Sequence, residues 1–580
     1  MDIFEKPWIH EWYLNKKQKC IHPYPKELFK QVDIFPLFLL DGGAFFFLKD
    51  HLEGAADSNA ILKGIESGKL FELWTNQGIF NWKMPYEQFK TKKDKPWEWI
   101  VWINRLYFLL PLAQEFYRTG DEKWADSWYK YFDDWSQHNT YEPYDNTENH
   151  KTSLIWRDMQ VCWRFLVLIH SVYLLSSSLY LDKTKWKKIY YAIELHANHV
   201  YQEAIKQLST GKSGGNHFQQ KGLVLLYAGI LFPEFEKAEQ YILTGKQILE
   251  KHLADQMYKD GGNAEASPSY SHFIARMYVE AFLLLQKHNI PGIIGLEESI
   301  QRQYYWLYQA SSTLGQSLQI NDSYALDVNL DLNIVTKIFP LTIPVRKESI
   351  LFDKSKFSVI RNNLYEVFID AMPQKEYHQH FGRPNILVYF NGLPLIIDAG
   401  CCNYDRNIKH EYFQRSCSHN VVVVPEFEDS FSSCDEMLEH LQNHSKIEIT
   451  NFILDQNEAS ITILHTIGHN DVNFTWQRQV ILKNEKLKII DRIESIKEIQ
   501  CRQLFHFAPN NMILSADKMK AFITLNTHEV VIKHEKKNCQ FDISYQIAMD
   551  GTNNITYSPT LSSTLKSTIC EFEVIISKEM

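Results

Sequence analysis

The chain has 580 residues, 61 basic and 70 acidic side chains for a formal net charge of −9, and 45% hydrophobic residues. At roughly 100–200 residues per domain this length exceeds one ordinary core, and the hydrophobic share excludes a disordered chain. The acidic balance argues against a general nucleic-acid binder, which needs surplus Lys and Arg to neutralise phosphates.

In chain order, residues 1–50 are rich in Pro and aromatics and read as an N-terminal arm. The opening Met-Asp-Ile-Phe-Glu-Lys-Pro-Trp lacks the pattern of a secretory signal, so the expectation is a cytoplasmic protein, or a periplasmic or secreted one if a signal has been removed. Nine cysteines without CxxC spacing read mostly as free thiols. No stretch reaches the roughly 18–20 uninterrupted apolar residues of a membrane span. The richest, 165–175, is broken by His170.

From 51 to 340 the apolar period is helical. Trp124, Trp128, Tyr131 or Phe132, and Trp135 fall on one helix face, and amphipathic runs recur at 98–118, 156–177, 183–207, 217–231, 236–255, 271–288 and 297–314. So many helices without a fixed repeat point to a closed helical toroid. Most of Trp97, Trp99, Trp156 and Trp163 read as core residues, and Trp156-Arg157 and Trp163-Arg164, seven residues apart, are expected on one side of one helix. After Phe339-Pro340 the period becomes two. Residues 350–580 read as an antiparallel β-sandwich, with a hairpin turn at Asn391-Gly392. The fold class is therefore multidomain α + β.

Four irregular segments concentrate reactive side chains. Ser213-Gly-Gly-Asn216-His217 runs into a helix, where Asn216 reads as a cap or as an amide offered to a substrate. Asp260-Gly-Gly-Asn-Ala-Glu265-Ala-Ser-Pro-Ser-Tyr270-Ser-His272 lies between two helices. In Tyr377-His378-Gln-His380 the two histidines of an extended segment point the same way. Asp398-Ala-Gly400, Tyr404, Tyr412, Arg415 and Ser418-His419-Asn420 form the fourth, and His380, Asp398 and His419 suit a zinc-type ion.

These segments in this order, together with Trp102-Ile-Asn-Arg105 and Thr119-Gly-Asp-Glu-Lys123, resemble the heparinase II/III family of polysaccharide lyases, with heparinase III the nearest type. The resemblance spans about 95–425. It implies an incomplete α/α toroid followed by an antiparallel β-sandwich, with the active site between the domains, and uronate β-elimination as the activity.

By that resemblance Asn216, helped by His217 or His378, would neutralise the uronate carboxylate, and Tyr270 would take the C5 proton and return one to the leaving 4-oxygen. A tyrosine of ordinary pKa about 10 needs a shift of about three units to serve near pH 7, which His378, His272 or Arg415 would supply. Trp156, Arg157, Arg164, Arg383, Tyr404 and Arg415 are the expected substrate contacts. His380, Asp398 and His419 match positions that hold a structural divalent metal in relatives, here zinc, manganese or calcium, with no organic cofactor. Relatives often carry an acidic residue two positions after the His-x-His, where this chain has Gly382.

The expected partner is an acidic polysaccharide, heparan-sulfate-like and sparsely sulfated, for a monomer or homodimer. Two other readings remain: a glycoside hydrolase using Asp158, Asp260 or Glu265, and a non-catalytic carbohydrate-binding protein.

Overall fold

The computed structural model describes residues 103–144, 154–347, 349–401, 409–455, 458–549 and 555–579, with short pieces between 58 and 82. The expected arm at 1–50, Trp97, Trp99 and Tyr404 lie outside the described residues. The chain divides into two compact units, Met1–Gln256 with Phe273–Ile300, and Met257–His272 with Gln301–Met580. The segments 257–272 and 301–340, helical half by their pattern, therefore group with the sheet-rich unit.

The helical unit contains α1 (Ser58–Ser67), α2 (Leu109–Thr119), α3 (Glu122–His138), α4 (Met159–Leu174), α5 (Lys183–Ser209), α6 (Asn216–Leu231) and α7 (Ala238–Gln256), plus α8 (Pro268–Lys287) from Phe273 onward. Local chemistry sets these ends. Gly120 closes α2 in the left-handed region, and Asp121 caps α3 by accepting from the Lys123 amide at 3.0 Å. The face of α3 that carries Trp124, Trp128, Phe132 and Trp135 is buried, as the spacing predicts. Each such aromatic contributes on the order of 2–3 kcal/mol by leaving water.

The expected single helix through Trp156 and Trp163 is corrected. Leu154–Trp156 is a separate 3-10 turn, and Asp158, at φ 55° and ψ −134°, breaks the chain before α4 begins at Met159. Met159–Ser177 is long and apolar enough to cross a membrane by length and composition, yet 89% of its most apolar window is buried inside the protein. Helices α2, α5 and α6 pack around α4, which accounts for its apolarity.

The sheet-rich unit carries β1 (Ser349–Phe352), β2 (Phe357–Arg361), β3 (Tyr365–Asp370), β4 (Asn385–Phe390), β5 (Leu393–Ile396), β6 (Val422–Val423), β7 (Lys446–Leu454), β8 (Glu458–His469), β9 (Val472–Lys483), β10 (Lys486–His506), β11 (Met512–Leu514), β12 (Lys520–Leu525), β13 (His528–His534), β14 (Asp542–Met549) and β15 (Ile555–Lys578). Strands β1 to β5 form one antiparallel sheet in sequence order. The larger sheet runs β11-β12-β13-β15-β10-β9-β8-β7, with β14 on β15 and β6 on β10. Val367, Ile369 and Val388 of the first sheet share one core with Ile461, Val480, Ile489 and Val574 of the second. The β4–β5 hairpin turns at Asn391 and Gly392, with φ of 50° and 76°, the two positive angles that make Asn-Gly the favoured pair there. Seven cysteines among the described residues are free thiols.

Buried histidines give the fold a pH dependence. Burial pushes His252 down to about 3, and His465, His506 and His534 down to about 4. These rings are neutral when folded and take up a proton near pH 6.5 when unfolded, so their stabilisation is present above about 6.5 and is lost as pH falls toward about 4. Stability should fall between pH 7 and pH 5 by on the order of 1–2 kcal/mol per ring, and the melting temperature should fall with it. A flat or rising Tm over that window, measured by calorimetry, contradicts this.

Candidate active site

In the sheet-rich unit the irregular segment Asn321-Asp322-Ser323 ties together two parts of the chain that the sequence leaves far apart. The Asn321 amide donates to the Ala266 carbonyl at 2.7 Å, and the Ser269 N–H donates to the Ser323 hydroxyl at 3.0 Å, which fixes the start of α8. The Asn321 side-chain oxygen accepts from the His380 N–H at 3.0 Å and the Asp322 N–H donates to the His378 carbonyl at 3.2 Å, which fixes the His-Gln-His segment. As a result Tyr270, half-buried in the first turn of α8, stacks face to face on His378 with ring centroids 3.9 Å apart and planes 24° apart.

Behind His378 lies Asp322, fully buried. Its Oδ2 accepts from His378 Nδ1 at 2.8 Å and from Lys409 Nζ at 2.6 Å, and its Oδ1 accepts from His380 Nε2 at 2.8 Å. Burial alone would raise this carboxyl, but the Lys409 ammonium and the two imidazoles hold it well below the usual carboxylate range. An ionised carboxylate only accepts, so His378 donates to it from Nδ1. Asp322 was not a candidate from the sequence. It follows no period, and its partners lie 56 to 87 residues away.

The metal candidates are next to this group. His380 uses Nε2 on Asp322, and His419 uses Nδ1 on Asp398 Oδ2 at 2.7 Å. The remaining nitrogens, His380 Nδ1 and His419 Nε2, are buried without a hydrogen-bond partner, and the two rings lie 5.3 Å apart. Burial pushes His380 down to about 4, which keeps its lone pair available. Two orphaned imidazole nitrogens, each backed by a carboxylate, fit a divalent transition metal. Asp398 is placed behind His419: its oxygens accept from His419, from the Asn385 amide at 2.7 Å and from the Gly400 N–H at 2.9 Å. Among the described residues, Asp322, His380 and Cys401 are the three that bring ligand-type atoms within 4.8 Å of one another.

In the helical unit Gly215, not Asn216, occupies the capping position of α6, and Asn216 is its first residue, 1% exposed. His217 bonds through Nδ1 to Asp158 Oδ2, and Lys221 Nζ reaches Asp158 Oδ1 at 2.9 Å. Burial would raise Asp158, but His217 and Lys221 hold it well below the ordinary range. Nearby, Arg164 is buried, donating to His196 Nε2 at 3.0 Å and to the Asn104 carbonyl at 2.9 Å, with its guanidinium over the Trp135 and Trp156 rings. Trp156 is 3% exposed. These two therefore sit in the core, while Arg157 is exposed.

Comparison with known proteins identifies the family. Residues 49–341 match the model described as Heparinase II/III N-terminus, and residues 344–575 match Heparinase II/III-like, C-terminal. The chain belongs to the heparinase II/III family.

A heparin-sulfate lyase of Bacteroides stercoris is 22% identical over 475 residues, 74% of this chain and 67% of that protein. A second heparin-sulfate lyase, of Bacteroides thetaiotaomicron, is 23% identical over 394 residues, 60% of this chain and 54% of its own length. The chain thus spans about two thirds of the first relative and just over half of the second. The crystal structure of a heparinase III superposes with a TM-score of 0.76 at 15% identity, covering 98% of this chain and 89% of that one. The helical N-terminal half and antiparallel sheet-rich C-terminal part are the heparinase II/III fold.

Gly382, where the resemblance implies an acidic residue, has a steric reason. A Cβ there would lie 2.3 Å from the Cβ and Cγ of His419, so only glycine lets that imidazole approach. Arg383 beside it is 4% exposed and donates to the His380 carbonyl at 2.8 Å, the Gln374 side chain at 2.6 Å and Asn321 at 3.1 Å, so it braces the segment from within. His272 is buried against Asp331 at 2.7 Å. Arg415 donates to the His410 carbonyl at 3.2 Å and pairs with Glu428 at 3.7 Å, remaining 28% exposed.

Proposed function

We propose that this chain is a polysaccharide lyase that cleaves a uronic-acid-containing polysaccharide, heparan-sulfate-like and sparsely sulfated, by β-elimination. The observation that carries the reading is Tyr270 stacked at 3.9 Å on His378, in a member of the heparinase II/III family. Tyr270 takes the C5 proton and delivers one to the 4-oxygen. The C5–H and C4–O bonds break, a C4–C5 double bond forms, and the new end is a 4,5-unsaturated uronate. His378, stacked on Tyr270, is the group that accepts its proton or, as the imidazolium, stabilises its phenolate. The developing charge on the uronate carboxylate requires donors aimed at it, a role that the family resemblance gives to Asn216 with His217.

The names of the two relatives support heparan sulfate as the polymer class. The net charge of −9, with Arg164 and Arg383 spent on internal bonds, supports low sulfation. The hydrolase reading is weakened because Asp260 Oδ2 already accepts from the Lys354 and Ser355 amides at 2.8 and 2.7 Å. Incubation with heparan sulfate, hyaluronan and alginate tests the function. Ultraviolet absorbance should rise with low-sulfated heparan sulfate, whereas new reducing ends without that absorbance overturn the reading.

A divalent metal would be held by His380 and His419, with Asp322 and Asp398 orienting the rings, and it would brace the sheet-rich unit without entering the reaction. Replacing His380 by Ala should lower metal content and Tm while sparing much of the activity. Unchanged metal content in that variant removes the metal assignment.

A further inference from the structure

We propose that Asp322 is a positioning residue for the elimination, holding His378 in the orientation and tautomer in which it stacks on Tyr270. This rests on the lyase reading. His378 is fixed from two sides by one residue: the Asp322 carboxylate accepts from its Nδ1 at 2.8 Å, and the Asp322 N–H donates to its carbonyl at 3.2 Å. The same segment fixes the other ring, because Ser323 accepts from Ser269, one residue before Tyr270. Ring and side chain have no room to drift, since Asp322 is fully buried and His378 is only 16% exposed.

Lys409 completes the device. It is 1% exposed, lies 2.6 Å from Asp322 Oδ2, and has its ammonium 4.7 Å from the centre of the Tyr377 ring. It supplies the countercharge without which a carboxylate at this depth would not persist. An aspartate that takes Nδ1–H of a histidine leaves Nε2 as the working nitrogen, and loss of that bond frees the ring to rotate away or to adopt the other tautomer.

The test is a double-mutant cycle on the full chain, with release of unsaturated uronate from heparan sulfate as the assay. Asp322→Asn keeps the shape and should lower kcat at least about tenfold with KM within about threefold. In a His378→Ala background the same change should cost less than about twofold, because there is no longer a ring to position. Equal losses in the two backgrounds, or an unchanged kcat, overturn the proposal. Should Asp322→Asn fail to fold, the ¹⁵N chemical shifts of His378 in the unaltered protein decide it: an Nδ1–H tautomer supports the proposal and an Nε2–H tautomer overturns it. If the unaltered protein releases no unsaturated uronate, the lyase reading fails with it. A normal rate that Asp322→Asn leaves intact fails the positioning role alone.

Discussion

Replacing Tyr270 by Phe should lower elimination by about 10³-fold or more while leaving substrate affinity nearly unchanged. The substitution removes one oxygen and keeps the ring, so the stacking on His378 at 3.9 Å survives and the local packing is preserved. A positioned proton-transfer group contributes about 10²–10⁴-fold, and Tyr270 is assigned both the removal at C5 and the return at the 4-oxygen, which places its loss in the upper part of that range. The kinetic signature is a fall in kcat with KM held, because the hydroxyl acts on atoms that change only in the transition state. Near-normal turnover would remove Tyr270 from the chemistry.

Asn216→Ala should cost on the order of 10² or more in kcat, by analogy with the loss of one donor from an oxyanion-stabilising site. Abstraction at C5 drives the neighbouring carboxylate toward a dianion, so a neutral amide that donates to it is worth more in the transition state than in the bound substrate. Asn216 is 1% exposed at the start of α6, so a truncation there also calls for a melting curve. A variant that melts normally and still turns over at near the native rate would take the role away from Asn216.

The fold was legible where a period was sustained. The i, i+4 recurrence of Trp124 and Trp128 marked a helix that is present at Glu122–His138, and Asn391-Gly392 marked a turn that needs two positive φ angles. The reading failed where one backbone angle interrupts a good pattern. Trp156 and Trp163 have helical spacing, but Asp158 at φ 55° ends that run, and no side-chain period records it. Within the β-sandwich, Lys486–His506 is one long strand whose pairing with β15 shifts register between Glu494 and Ile499, which no side-chain period marks.

For the site, sequence reading named candidate side chains but not what holds them. Tyr270 and His378 were legible as candidates because both sit in irregular, glycine- or histidine-marked segments, and their roles came from the family resemblance. Asp322 was not, since its role comes from contacts to His378, His380 and Lys409 that only the tertiary fold creates. Arg383 and Arg164 show the converse error. A guanidinium looks like a ligand for an acidic sugar, yet burial commits these two to protein acceptors.

The most direct test is to cleave heparan sulfate in H₂¹⁸O and weigh the products. Elimination adds no water, so the product masses should sum to that of the substrate, with no ¹⁸O incorporated and one unsaturated end per cut. Products heavier by one water, carrying ¹⁸O at the new end, would contradict β-elimination and establish hydrolysis instead.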